Sequence, residues 1–170
     1  MADQAFLVNL RGSYIWRQAG STMYFSEYFD RRAQEVLARE ISTIIDAAPL
    51  FTPTMPHSGK PFSVAMTNCG PLGWVSDKTG GYRYQPTHPQ TGAPWPEIPE
   101  MLLALWDEVA GVCAAPEACL INYYGTGARM GLHRDQDEED FSVPLVSISL
   151  GDTALFRLGG LKRKDPTRSF

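Results

Sequence analysis

Cysteine is scarce in this sequence. There are three, Cys69, Cys113 and Cys119, an odd number with no C-x-x-C pair among them. That count and spacing indicate neither a disulfide framework nor a zinc ribbon, and the expected state is reduced, mostly buried thiols in a cytosol. No apolar run is long enough to cross a bilayer. The opening stretch MADQAFLVNLRGSYIW has no basic start, no sustained apolar segment and no small-residue cleavage site, so no export signal is read and a cytoplasmic protein is expected. Excess basic charge is missing too: the net charge is -4, so any binding of nucleic acid must use a local patch. There is no repeat and no low-complexity segment. Without a G-x-S-x-G motif or a nucleophile signature around the cysteines, hydrolase chemistry finds no support.

What is present is a chain of 170 residues, 44% hydrophobic and 20% charged, enough for one globular domain with its own core. From Asp30 to Ile45 the apolar residues Ala33, Val36, Leu37, Ile41, Ile44 and Ile45 recur at helical spacing, and Pro49 ends the run. IPEMLLALWDEVAG predicts a second helix, with Pro99 in its first turn and Gly111 at its end. Between them lies a stretch rich in glycine and proline that carries Trp74, Tyr82, Tyr84 and Trp95, aromatics that either bind a ligand or cap the core. After residue 117 the period changes to two. ACLINYY, VPLVSISLG and TALFRLGG read as strands, with Val146, Ile148 and Leu150 on one face and Leu145, Ser147 and Ser149 on the other. The expectation is α+β, mainly β: packed antiparallel sheets with both helices outside one of them, preceded by residues 1–12 in a loosely ordered state.

The stretch GLHRDQDEED holds the sharpest chemical signal. If ARMGLH runs as a strand into it, His133 and Asp135 share a face while Arg134 points away. One imidazole and one carboxylate then suit ferrous iron, provided a second histidine completes a facial triad. H-x-D alone is short and unspecific. A calcium loop is disfavoured because DQDEED has no glycine at the sixth position and no glutamate at the twelfth. Glu138, Glu139 and Asp140 read as a solvated acidic turn. The other two imidazoles, His57 and His88, sit in proline-rich loops and are expected to be exposed there rather than to be ligands.

From Asn122 onward, NYYGTGARMGLHRDQDEED and PLVSISLGDTALFRLGGLKRKDP resemble the AlkB family of iron(II)- and 2-oxoglutarate-dependent dioxygenases. SVAMTNCGPLGW, GYRYQP and PQTGAPWP are similar to the same family's nucleotide-recognition loops, so the likeness runs from about Phe51 to Pro166. It implies a double-stranded β-helix, a jelly roll, with outer N-terminal helices and a nucleotide-recognition lid, forming a single domain over residues 13–170. It implies iron ligands at His133 and Asp135, and 2-oxoglutarate binding at Asn122 and Tyr124 with Tyr123 between them. Substrate contacts are implied at Trp74, which stacks on the damaged base, at Tyr82, Arg83 and Tyr84, at Asp137 near an exocyclic amine, and at Arg163. Chemistry on a base requires taking it out of the stack, which an aromatic face helps to offset. Lys162, Arg163, Lys164 and Arg168 supply the local basic patch, or else a merely soluble loop.

The implied activity is oxidative demethylation of bases such as 1-methyladenine and 3-methylcytosine in DNA, with RNA as a further substrate, by a monomer using Fe(II), O2 and 2-oxoglutarate. Single-stranded DNA is the expected partner, and no membrane. The family's distal iron histidine and its paired arginines for the far carboxylate of 2-oxoglutarate have no match here, since no histidine follows His133. The expectation is therefore a barrel lacking its C-terminal strands, inactive as residues 1–170 alone. A non-catalytic module that grips damaged or single-stranded nucleic acid is the alternative.

Overall fold

The computed structural model describes residues 5–12, 25, 27–111, 114–133, 143–160 and 162–169. The helices form where the apolar spacing put them. In α1 (Arg31–Ala47) the Asp30 carboxylate accepts from the Ala33 N–H at 2.7 Å and so satisfies one of the orphan donors of the first turn. Its buried stripe is Leu37, Ile41 and Ile44. Pro99 precedes α2 (Glu100–Val109), which buries Leu102, Leu105 and Trp106 before Gly111 turns the chain at φ +65°. Among the described residues no helix is long and apolar enough to cross a membrane.

The strands are β1 (Ala5–Gly12), β2 (Ala65–Cys69), β3 (Gly73–Asp77), β4 (Gly81–Gln85), β5 (Pro116–Tyr124), β6 (Val146–Gly151), β7 (Arg157–Gly159) and β8 (Thr167–Ser169). The main sheet has the order β2-β5-β1-β6, all antiparallel, while β3-β4 and β7-β8 are separate hairpins. The mainly β reading with few helices therefore holds.

Side-chain alternation gives the main sheet two unlike faces. Cys69, Cys119, Ile121, Ile148 and Leu150 pack with Leu37, Ile41, Leu102 and Trp106 beneath the helices. The opposite face carries Met66, Leu120 and Tyr124 into a second, aromatic cluster with Phe51, Val75 and Trp95.

Four expectations are corrected. Residues 5–12 are not a loose terminus but a central strand, with β5 on one side and β6 on the other. Residues 128–133 form no strand: a turn at Gly125 to Ala128, closed by the Ala128 N–H on the Gly125 carbonyl at 2.9 Å, is followed by irregular chain. His88 is buried, at 1% exposure, with Phe51 and Trp95 rings against it at 5.4 and 5.2 Å. In TALFRLGG, only Arg157–Gly159 is strand.

Candidate functional site

Register fixes which residues of β5 share a face. Asn122 stands opposite Met66, and Leu120 opposite Asn68, so Asn68, Leu120, Asn122 and Tyr124 all belong to the aromatic face. Tyr123 falls on the helix face, beside Ala65, and is not brought to Asn122 and Tyr124. Asn122 is 1% exposed. Tyr124 is partly buried, and burial raises its pKa above the usual phenol value. It remains a neutral O–H donor at physiological pH, which suits a carboxylate acceptor.

The chain leaves β5 into the loop that ends at His133. Ser63 straps this loop down: its hydroxyl donates to the Arg129 carbonyl at 2.6 Å and accepts from the Arg129 N–H at 3.1 Å. Ala128 and Met130 pack into the aromatic cluster. His133 itself is exposed, and its Nδ1 lies 2.8 Å from the Gly131 carbonyl. A carbonyl only accepts, so Nδ1 carries a proton here, the arrangement in which a histidine that ligates a metal does so through Nε2. Asp135 and Asp137 lie outside the described residues, and the shared face proposed for His133 and Asp135 loses its premise with the missing strand. Among the described residues no three His, Cys, Asp or Glu side chains converge as a metal site.

His88 is no substitute ligand. Its Nδ1 accepts from the Gln90 and Thr91 N–H groups at 3.1 and 3.2 Å, and its Nε2 donates to the Pro49 carbonyl at 2.7 Å. Both ring nitrogens are committed to shaping the loop. His57 is exposed at φ +63°.

The expected lid is the β3-β4 hairpin. Trp74, Tyr82 and Tyr84 share one face of it, with Trp74 opposite Tyr84. Half-buried Trp74 runs near-parallel to Phe62 (6.2 Å between centroids, 19°) and to Tyr82 (5.5 Å, 26°). Tyr82 is exposed, its hydroxyl 3.8 Å from the Met55 sulfur. Arg83 lies on the hairpin's other face and serves the hairpin itself. It pairs with Asp77 at 2.7 Å, donates to Gln85 at 3.0 Å and reaches the Gly81 carbonyl. The Gly80 N–H, and then Arg83, hold the Asp77 carboxyl below its ordinary pKa. Trp95 belongs to the core, its indole N–H donating to the Gln85 carbonyl at 2.8 Å. Arg163 is exposed in the turn between β7 and β8.

Sequence reasoning missed Phe62, Ser63 and Asn68. The asparagine left a trace, as a polar residue inside the otherwise strand-like VAMTNC. The described residues thus offer one imidazole of the kind iron(II) takes, at His133, with a neutral phenol at Tyr124 and a buried carboxamide at Asn122 of the kind a dicarboxylate takes.

A family model described as the 2OG-Fe(II) oxygenase superfamily matches residues 21–170. The chain is 52% identical over 140 residues to an alpha-ketoglutarate-dependent dioxygenase AlkB homolog of Caulobacter vibrioides (strain NA1000 / CB15N), a match covering 82% of this chain and 63% of that protein. It is 44% identical over 144 residues to the alpha-ketoglutarate-dependent dioxygenase AlkB of Escherichia coli (strain K12), covering 82% and 66%. The similarity to the nucleic acid dioxygenase ALKBH1 of Homo sapiens is 38% over 105 residues, covering 58% of this chain and 26% of that protein. The chain thus spans 63% to 66% of the length of these two bacterial relatives.

Proposed function

The chain belongs to the 2OG-Fe(II) oxygenase superfamily and within it to the AlkB family, and from that premise we propose that the protein oxidatively demethylates alkylated bases in nucleic acid, of the 1-methyladenine and 3-methylcytosine type. DNA, single-stranded, is the preferred substrate of this reading. The observation that carries it is the aromatic cluster, which packs Trp74, Tyr124, and Ala128 and Met130 of the loop to His133 into one body. A base platform, a co-substrate contact and the path to a metal ligand are thereby held together by one apolar core.

Iron(II) with 2-oxoglutarate and O2 supplies an oxidant that hydroxylates the N-methyl group, which then leaves as formaldehyde while succinate and CO2 are formed. The chain's own residues bind and orient. His133 presents Nε2 to the metal because Gly131 holds the proton on Nδ1. Asp135 is the carboxylate ligand of this reading. Tyr124 and Asn122 hydrogen-bond the co-substrate from the aromatic face. Trp74 offers an aromatic surface to the extruded base, flanked by Tyr82 and Tyr84, and Asp137 accepts from an exocyclic amine. Arg163, with Lys162, Lys164 and Arg168, meets the phosphates. The fold of this reading is a jelly roll.

The test is formaldehyde and succinate release from a methylated oligonucleotide by the intact protein. His133→Ala and Asp135→Ala should abolish turnover with the fold retained. Trp74→Ala should weaken binding of the methylated strand roughly tenfold to a hundredfold, since stacking contributes about 1–3 kcal/mol per base. Turnover at the parent rate in either ligand variant sinks the assignment.

A further inference from the structure

We propose that Asn68 is a positioning residue for base recognition: its carboxamide acts as a strand partner for Trp74 and fixes where the indole stands. This rests on the reading of Trp74 as the stacking platform. Asn68 is fully buried in β2, a place where an amide is tolerated only if both of its ends are bonded. Both ends go to one residue. Nδ2 donates to the Trp74 carbonyl at 3.1 Å and Oδ1 accepts from the Trp74 N–H at 3.0 Å.

That reciprocal pair is the pattern two residues make across an antiparallel ladder. Here a side chain makes it, because β2 and β3 belong to different sheets and share no ladder. In a strand, the N–H and C=O of one residue point to the same edge. Trp74 spends both on Asn68, so its pairing with Tyr84 is the non-hydrogen-bonded kind, and without Asn68 both groups would lose the partner they have among the described residues. Gly73 makes the approach feasible. A Cβ there would lie 2.7 Å from the Asn68 Cβ, and against the Trp95 indole besides.

The consequence reaches the site. Asn68 stands on the same sheet face as Asn122 and Tyr124, directly opposite Leu120. The platform for the base is thereby referenced to the sheet that carries the co-substrate contacts, not to the hairpin's own flexing. Tyr82, exposed and with its hydroxyl on the Met55 sulfur, is then the ring that gives way to an incoming base while Trp74 stays.

The experiment uses the intact protein labelled with fluorotryptophan, the Trp74 resonance being assigned through Trp74→Phe. Asn68→Asp keeps shape and acceptor but loses the donor; Asn68→Ala loses both. Each is expected to displace the Trp74 resonance and leave that of Trp106 in place. Each should weaken binding of a single strand carrying 1-methyladenine by about fivefold or more, with binding of the unmethylated strand nearly unchanged. Ser76→Ala, which breaks another tie of the hairpin, to the Thr54 carbonyl at 2.6 Å, should do neither. Should Asn68→Ala fail to fold, the isosteric Asn68→Asp carries the test. An unmoved Trp74 resonance, or equal losses for both strands, overturns the proposal. Trp74→Ala separates the two readings: if it binds methylated strand normally, stacking and positioning fall together, whereas a defective Trp74→Ala beside a normal Asn68→Asp removes Asn68 alone.

Discussion

Tyr124 and the paired cysteines owe their chemistry to burial, and each gives a measurable consequence. The unfolded chain ionises Tyr124 near its ordinary value of 10.0, while burial makes the folded protein hold the proton longer. The stability tied to that proton is intact below pH 10 and is lost as pH rises through the folded value. Tyr124→Phe should therefore flatten the alkaline fall in the urea midpoint and, if the phenol bonds 2-oxoglutarate, raise KM for it by about fivefold to tenfold. Cys69 and Cys119 face each other across β2 and β5, both fully buried. The hydrogen bond with Cys69, and then burial, push the Cys119 thiol well above its ordinary range. Neither thiol should react with iodoacetamide in the native protein, and labelling should follow unfolding. Reduced, buried cysteines were legible from their number and spacing; Cys113 lies outside the described residues. The burial of His88 was not legible, because PTHPQTG reads locally as an exposed loop, and the Pro49 carbonyl that seats the ring lies 39 positions away.

At the level of elements, the hairpin seated over β2 depends on one missing side chain. A Cβ at Gly73 would come within 2.4 Å of the Trp95 ring, whose indole is tied to Gln85 opposite Gly73. Gly73→Ala should cost about 1–3 kcal/mol, as overpacking does, read as a lower urea midpoint without loss of helix content. Helices α1 and α2 and strands β5 and β6 were legible because their periodicity is local: Val146, Ile148 and Leu150 pack beneath the helices while Ser147 and Ser149 are exposed. Strand β1 was not, since its place is set by Tyr124 and Gly151, the partners of Ala5, more than a hundred residues onward. ARMGLH alternates like a strand, but Ser63 and the aromatic cluster hold Arg129, Ala128 and Met130 in a loop instead. Tertiary contacts there override local pattern.

For the whole molecule, the decisive feature is the sheet's outer edge. Strand β6 has β1 on one side and, among the described residues, no strand on the other. Large apolar side chains flank it: Leu145, Leu155 and Phe156 are 44%, 69% and 40% exposed. An open edge beside apolar surface invites pairing with another chain unless further strands cover it. The same shortfall holds at the metal, where His88 is committed elsewhere and the ligand set proposed here, His133 and Asp135, lacks its third member. The purified chain should therefore self-associate in sedimentation velocity and, with His133 and Asp135 as the ligands of this reading, bind iron(II) weakly. His57→Ala should change neither. Robust 2-oxoglutarate turnover by residues 1–170, lost in His57→Ala, would instead make His57 the third ligand and require the loop from Thr54 to Pro61 to fold onto the His133 side.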